Sequence, residues 1–161
     1  MTTTMDPLSP PPSRLAIAVA ALLGIFVAGY LTIYNLGYLG FVQCSTGGCE
    51  TVQSSQYAMI LGTPVALVGL VGYVLLFALA IIGVQPRWVA ERWIAIAIAL
   101  LSGVGTAFSA YLTYLEAAVI HAWCQWCVVS AILMTLIFVL SLVGLRSSIA
   151  MERQITTSSE G

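Results

Sequence analysis

The chain has 161 residues, 60% of them hydrophobic and 7% charged, with a mean hydropathy of +1.03. A soluble domain carries about 25% charged residues, so a water-soluble globule is excluded. Five arginines, no lysine and six acids give a net charge of -1, which excludes the basic surface that nucleic acid requires.

Met1 to Ser13 reads MTTTMDPLSPPPS, a Pro/Ser/Thr-rich stretch without apolar period that is expected to be a disordered tail. Apolar runs follow at Leu15 to about Leu36, Thr63 to Val84, Trp93 to Leu115 and Cys124 to Leu145. Each is about the 20 residues a spanning helix needs. A cleaved signal peptide is the rival reading of the first, but its apolar region would be only about 7–15 residues long. Pro64 is expected in the first turn of span two, where its missing N–H has no intrahelical partner to lose. The predicted fold is all-α: a four-transmembrane-helix bundle, with an outer loop and a short interfacial helix between spans one and two. It comprises a tail (1–13), the membrane domain (14–146) and a second tail (147–161).

Arg14, Arg87, Arg92, Arg146 and Arg153 all fall on one side of this topology. Short cytoplasmic loops collect arginine, so both termini are expected inside and the connections Gly37–Gly62 and Glu116–Trp123 outside. Ala20, Gly24 and Ala28 in span one, and Ser102, Thr106, Ser109 and Thr113 in span three, repeat at helical spacing. Close helix packing is the preferred use of both stripes, and lining a cofactor the other.

All four cysteines lie on the outer face, where disulfides persist. Cys44 and Cys49 enclose Ser-Thr-Gly-Gly, and the glycines allow the tight reversal a disulfide requires. This pair is read as belonging to a mobile loop. Cys124-Gln-Trp-Cys127 opens span four, where free N–H groups and the helix dipole favour a thiolate. A relay that passes electrons between pairs is the preferred reading. Structural disulfides and a thiolate metal site stand beside it.

The runs CSTGGCETVQSSQYAMILGTPVALVG (Cys44 to Gly69) and YLTYLEAAVIHAWCQWC (Tyr111 to Cys127) resemble the vitamin K epoxide reductase family in its bacterial single-domain form. The resemblance implies that Cys124 and Cys127 are the redox centre beside a quinone, ubiquinone or menaquinone, with Cys127 nearer the ring. It implies that Cys44 and Cys49 shuttle electrons from a thioredoxin-like periplasmic oxidoreductase, and that Ser55 lies near the quinone. No thioredoxin-like segment follows span four, so the partner is expected to be a separate protein. Ala131 stands where animal members have a tyrosine, which argues against epoxide chemistry.

The expected protein is thus a multi-pass enzyme of a bacterial inner membrane that reoxidises its partner and supports disulfide formation. A quinone epoxide reductase, a thiol metal-binding protein and a structural membrane protein are the alternatives. Thr51–Leu61 is read as an interfacial lid, with Ser55 either a quinone donor or a helix cap. His121 and Glu116 are read first as solvated groups and second as proton carriers. Tyr111, Tyr114, Trp123 and Trp126 are candidate quinone neighbours, but an interfacial aromatic belt explains them without any ligand.

Overall fold

The computed structural model describes residues 12–85 and 92–159. Helix α1 (Pro12–Asn35) is followed by a loop, the short helix α2 (Cys49–Gln53) and a 3-10 turn (Gln56–Ala58). A two-residue hairpin then pairs β1 (Met59–Ile60) with β2 (Thr63–Pro64), Met59 against Pro64 and Ile60 against Thr63. Its turn residues, Leu61 and Gly62, have φ of 51° and 80°, the left-handed pair of a type I′ turn. Helices α3 (Val65–Val84), α4 (Arg92–Leu115) and α5 (Gln125–Ser159) complete the chain, with a π-helical segment (Glu116–Ile120) extending α4.

Among the described residues, four helical segments are long and apolar enough to cross a membrane: Ser13–Asn35, Val65–Val84, Arg92–Ile120 and Gln125–Arg146. The 20 residues of α3 rise about 30 Å, the thickness of a hydrocarbon core. Phe26, Leu100, Ile132 and Val143 project outward from these helices, as side chains solvated by lipid do.

Three boundaries differ from the sequence expectation. Pro12 and Ser13 already belong to α1, while residues 1–11 of the expected tail, like Arg87, lie outside the described residues. Pro64 is the N-cap of α3, with an extended ψ of 131°, because it also closes the hairpin. Helix α5 continues past Arg146 to Ser159, through Met, Glu, Arg and Gln, all good helix formers.

Helix α1 packs along α3 and α5, and α4 along α5, while α3 and α4 touch less extensively. The small-residue stripe of α1 explains the first contact. A Cβ at Gly24 would overlap the ring of Tyr73, which is fully buried and whose hydroxyl donates to the Ser130 carbonyl at 2.7 Å. Ala20 and Ala28 are buried on the same face. At the arginine end, Arg14 donates to the Gly83 carbonyl at 3.1 Å, neutralising the negative end of α3. Buried hydroxyls bond back into their own helices, Thr32 to the Ala28 carbonyl and Ser102 to the Ile98 carbonyl. The α4 stripe serves two ends: Ser102 is buried in the bundle, whereas Ser109 and Thr113 line a cavity.

Candidate active site

The four cysteines meet at the end of the bundle opposite Arg14. Cys44 and Cys49 form a disulfide with a Cα–Cα distance of 5.9 Å. Cys124 and Cys127 are free thiols. Cys49 and Cys124 are both fully buried and belong to one cluster with Leu31, Val42 and Val52. Cys44 is half-buried. Cys124 immediately precedes α5 and accepts the Val128 amide at its carbonyl, while Cys127 lies one turn inside the helix.

The glycines of the Cys44 loop suggest mobility; the structure instead docks the loop by hydrogen bonds from several sides. Gln43 N–H donates to the Tyr30 hydroxyl at 2.9 Å, and its carbonyl accepts the Trp126 indole at 2.7 Å. Tyr30 and Trp126 themselves pack edge to face at 5.4 Å. Ser45 N–H donates to the Gln125 side chain at 3.0 Å, and the Thr46 hydroxyl to the Trp123 carbonyl at 2.7 Å. These partners come from α1, α5 and the turn before α5, and the sequence alone places none of them beside residues 43–48.

Beneath α2 a cavity of about 440 Å³ runs between α3 and α4. Its walls are mostly apolar, including Val68, Gly72, Leu101, Val104 and Met134, and its upper end carries Gln53, Ser55, Glu116 and Cys127. Cys127 lines the cavity and Cys124 does not. Ser55 also lines it, but its hydroxyl donates to the Val52 carbonyl at 2.7 Å, so it closes the α2 turn in this conformation. Val52, Tyr57, Ala58 and Ile60 place the expected lid segment over the same space.

Two neighbours of the inner pair escaped sequence reasoning. Gln53 donates to the Cys127 sulfur at 3.4 Å and reaches the Cys124 sulfur at 3.9 Å. It is held by Asn35, which donates to the Gln53 side-chain oxygen at 2.7 Å and to the Leu31 carbonyl at 2.9 Å. The available signals were a polar residue four places after Cys49 and an asparagine closing an apolar span. Glu116 corrects an expectation outright. It is 2% exposed rather than solvated, and its Oε2 accepts the Cys124 N–H at 3.0 Å.

His121 is exposed and left-handed, with φ 54°, and its ring contacts the Val119 carbonyl. Tyr111, Tyr114 and Trp123 are exposed, and Trp126 packs on the loop; the cavity lining includes none of the four aromatics singled out from the sequence. The Cys124 thiol, at the mouth of α5, is lowered to about 7. The first cause is the hydrogen bond from the Cys127 thiol, aided by the Cys127 backbone N–H and Gln53, against burial and the Glu116 charge. A thiolate at a helix start, bonded by the second thiol of Cys-x-x-Cys, is the arrangement that activates such pairs.

Four spanning helices, one bridged cysteine pair docked on a second pair held as thiols, and an apolar cavity at the inner sulfur together describe a membrane thiol–disulfide redox site. Residues 15–142 match the model of the vitamin K epoxide reductase family. That match covers most of the chain, and the protein belongs to the vitamin K epoxide reductase family of membrane redox enzymes.

Proposed function

We propose that this protein oxidises a thioredoxin-like dithiol protein outside a bacterial inner membrane and transfers the electrons through its two cysteine pairs to a membrane quinone. Both termini are cytoplasmic in this reading, residues 14–146 form the membrane domain, and the cysteines face the periplasm. The observation that carries it is the asymmetry of the site. Half-buried Cys44 is open to a partner, buried Cys49 packs with Cys124, and Cys127 alone of the four lines the apolar cavity.

The exchange steps follow from that order. A partner thiolate attacks the accessible sulfur of Cys44 and releases Cys49 as a thiolate. Cys49 attacks the Cys124–Cys127 disulfide at Cys124, freeing Cys127. The partner's second thiol then releases Cys44, which attacks the Cys49–Cys124 bond. The outer disulfide is restored and the inner pair is left as two thiols, the oxidation state of the structure.

The cavity fits a quinone: apolar walls suit a ring and isoprenoid tail, and polar side chains gather at the end where ring oxygens would lie. When bound, the quinone accepts two electrons and two protons. Cys127 would face it, Gln53 would steady the Cys127 sulfur, and Ser55 would turn its hydroxyl from Val52 toward a ring oxygen.

The test mixes purified protein in lipid nanodiscs with a reduced thioredoxin-like dithiol protein and a short-chain ubiquinone or menaquinone. Quinol and partner disulfide are expected to form one to one, and Cys127→Ala is expected to abolish quinol formation. Partner oxidation without quinol, or quinol formation by Cys127→Ala, would refute the proposal.

A further inference from the structure

The exchange steps above leave one buried charged group without a task. Glu116 lies near the end of an otherwise apolar span and is 2% exposed. Burying a carboxylate is costly unless it is well hydrogen-bonded. Its carboxylate accepts the Cys124 N–H at 3.0 Å, and it shares the wall of the cavity with Cys127.

The backbone is shaped to bring these groups together. Helix α4 widens into a π segment that begins at Glu116, and such segments occur often at functional sites. His121 then takes a left-handed conformation, and Ala122 N–H returns to the Glu116 carbonyl at 3.2 Å. A need to cap α5 alone would be met by Ser, Thr, Asp or Asn at the cap position. Here Cys124 occupies that position, and the acceptor arrives from the preceding span.

Two neighbouring groups can take the single thiol proton of Cys127, the Cys124 sulfur one helical turn away and the Glu116 carboxylate that accepts the Cys124 N–H. Of these two acceptors, only Glu116 lines the cavity together with Cys127. We propose that Glu116 is the proton carrier of the inner pair, taking the Cys127 thiol proton at its carboxylate and delivering it into the cavity.

This inference rests on the quinone-reducing function proposed above. Oxidation of the inner pair forms one S–S bond, and its two electrons pass to the quinone. One quinol proton comes from Cys127 by way of Glu116, which ends as a carboxylate again. Cys124 reacts as a thiolate whose proton has already gone to water, and water supplies the second.

Glu116→Gln is the discriminating variant, because its amide oxygen still accepts the Cys124 N–H but cannot take up a proton. The first readout needs no quinone: the infrared S–H stretch of Cys127 in reduced protein carrying Cys44→Ser and Cys49→Ser. The band is expected to move to higher frequency in the Glu116→Gln variant, because a neutral amide oxygen is a weaker acceptor for the thiol than a carboxylate. The second readout is a single turnover of pre-reduced protein with a short-chain quinone. Loss of a general acid–base group predicts a slowing of about 100-fold or more, with Glu116→Asp recovering part of the rate.

An S–H band that does not move, or a Glu116→Gln turnover within about threefold of wild type, would overturn the inference. If wild-type protein makes quinol and the variant matches it, the proposed function stands and only the role of Glu116 falls. If wild-type protein makes no quinol, the proposed function falls and the proton carrier with it.

Discussion

Gly48 seats the outer loop against the backbone of Trp123, the residue before Cys124, and Gly48→Ala tests whether that approach matters. A Cβ there would lie 2.6 Å from the Trp123 carbonyl oxygen and 2.8 Å from its nitrogen. Both are backbone atoms, so no side-chain rotation relieves the contact. Gly48 has φ of -95° and ψ of -5°, which alanine tolerates, so the effect is one of space and not of backbone strain. Reaching an ordinary contact of 3.4 Å moves the loop outward by roughly 0.8 Å. That stretches the Thr46–Trp123 bond of 2.7 Å and the Ser45–Gln125 bond of 3.0 Å beyond useful range. At about 0.5–1.5 kcal/mol each, their loss disfavours the docked loop by about 1–3 kcal/mol, or about 5- to 150-fold in population. The assay is the rate at which Cys49 and Cys124 cross-link in a Cys44→Ala background, followed by non-reducing peptide mapping. Gly48→Ala is expected to slow it by that factor while the spanning helices unfold at an unchanged temperature. An unaltered cross-linking rate would refute the reasoning, because it would mean that docking does not control the meeting of the pairs.

The Cys124 thiol is a thiolate above pH about 7 and protonated below it. With Cys44 and Cys49 replaced by serine, Cys127→Ala removes its main donor and is expected to raise it toward the ordinary value of about 8.5, seen as an upward shift of the ultraviolet thiolate titration. Ser55→Ala is expected to slow quinone reduction by about 0.5–1.5 kcal/mol, less than a dedicated donor would, because the hydroxyl already bonds to Val52. Exchange between a partner and the outer pair should be unchanged in this variant, and a loss there would show that Ser55 acts by folding α2. Gln53→Leu removes the amide from the Cys127 sulfur and is expected to slow single-turnover quinone reduction about tenfold, checked by rapid mixing of pre-reduced protein.

The spanning helices were legible because each apolar run must carry its own backbone bonds through lipid. Both cysteine pairs were legible because spacing fixes chemistry locally: glycines at 47 and 48 permit a tight loop, and Cys-x-x-Cys at a helix start lowers a thiol. The Asn35–Gln53–Cys127 chain was not legible, because its members lie on α1, α2 and α5 and meet only through packing. Glu116 misleads for a related reason. Seen along the chain, it is a charged residue near the end of a span, and only the π turn and left-handed His121 direct it inward toward Cys124.

Tyr73 forms part of the cavity wall, midway along α3. Its ring occupies the space that Gly24 leaves vacant on α1, and its hydroxyl is fastened to Ser130 on α5, so this stretch of the chamber wall is a phenol wedged across three helices. A methyl group at position 24 would press on that ring and displace this part of the wall without touching any residue at the sulfur end. The shape of the chamber at mid-depth is therefore governed by a missing side chain on α1, at a position that is itself no part of the chamber wall.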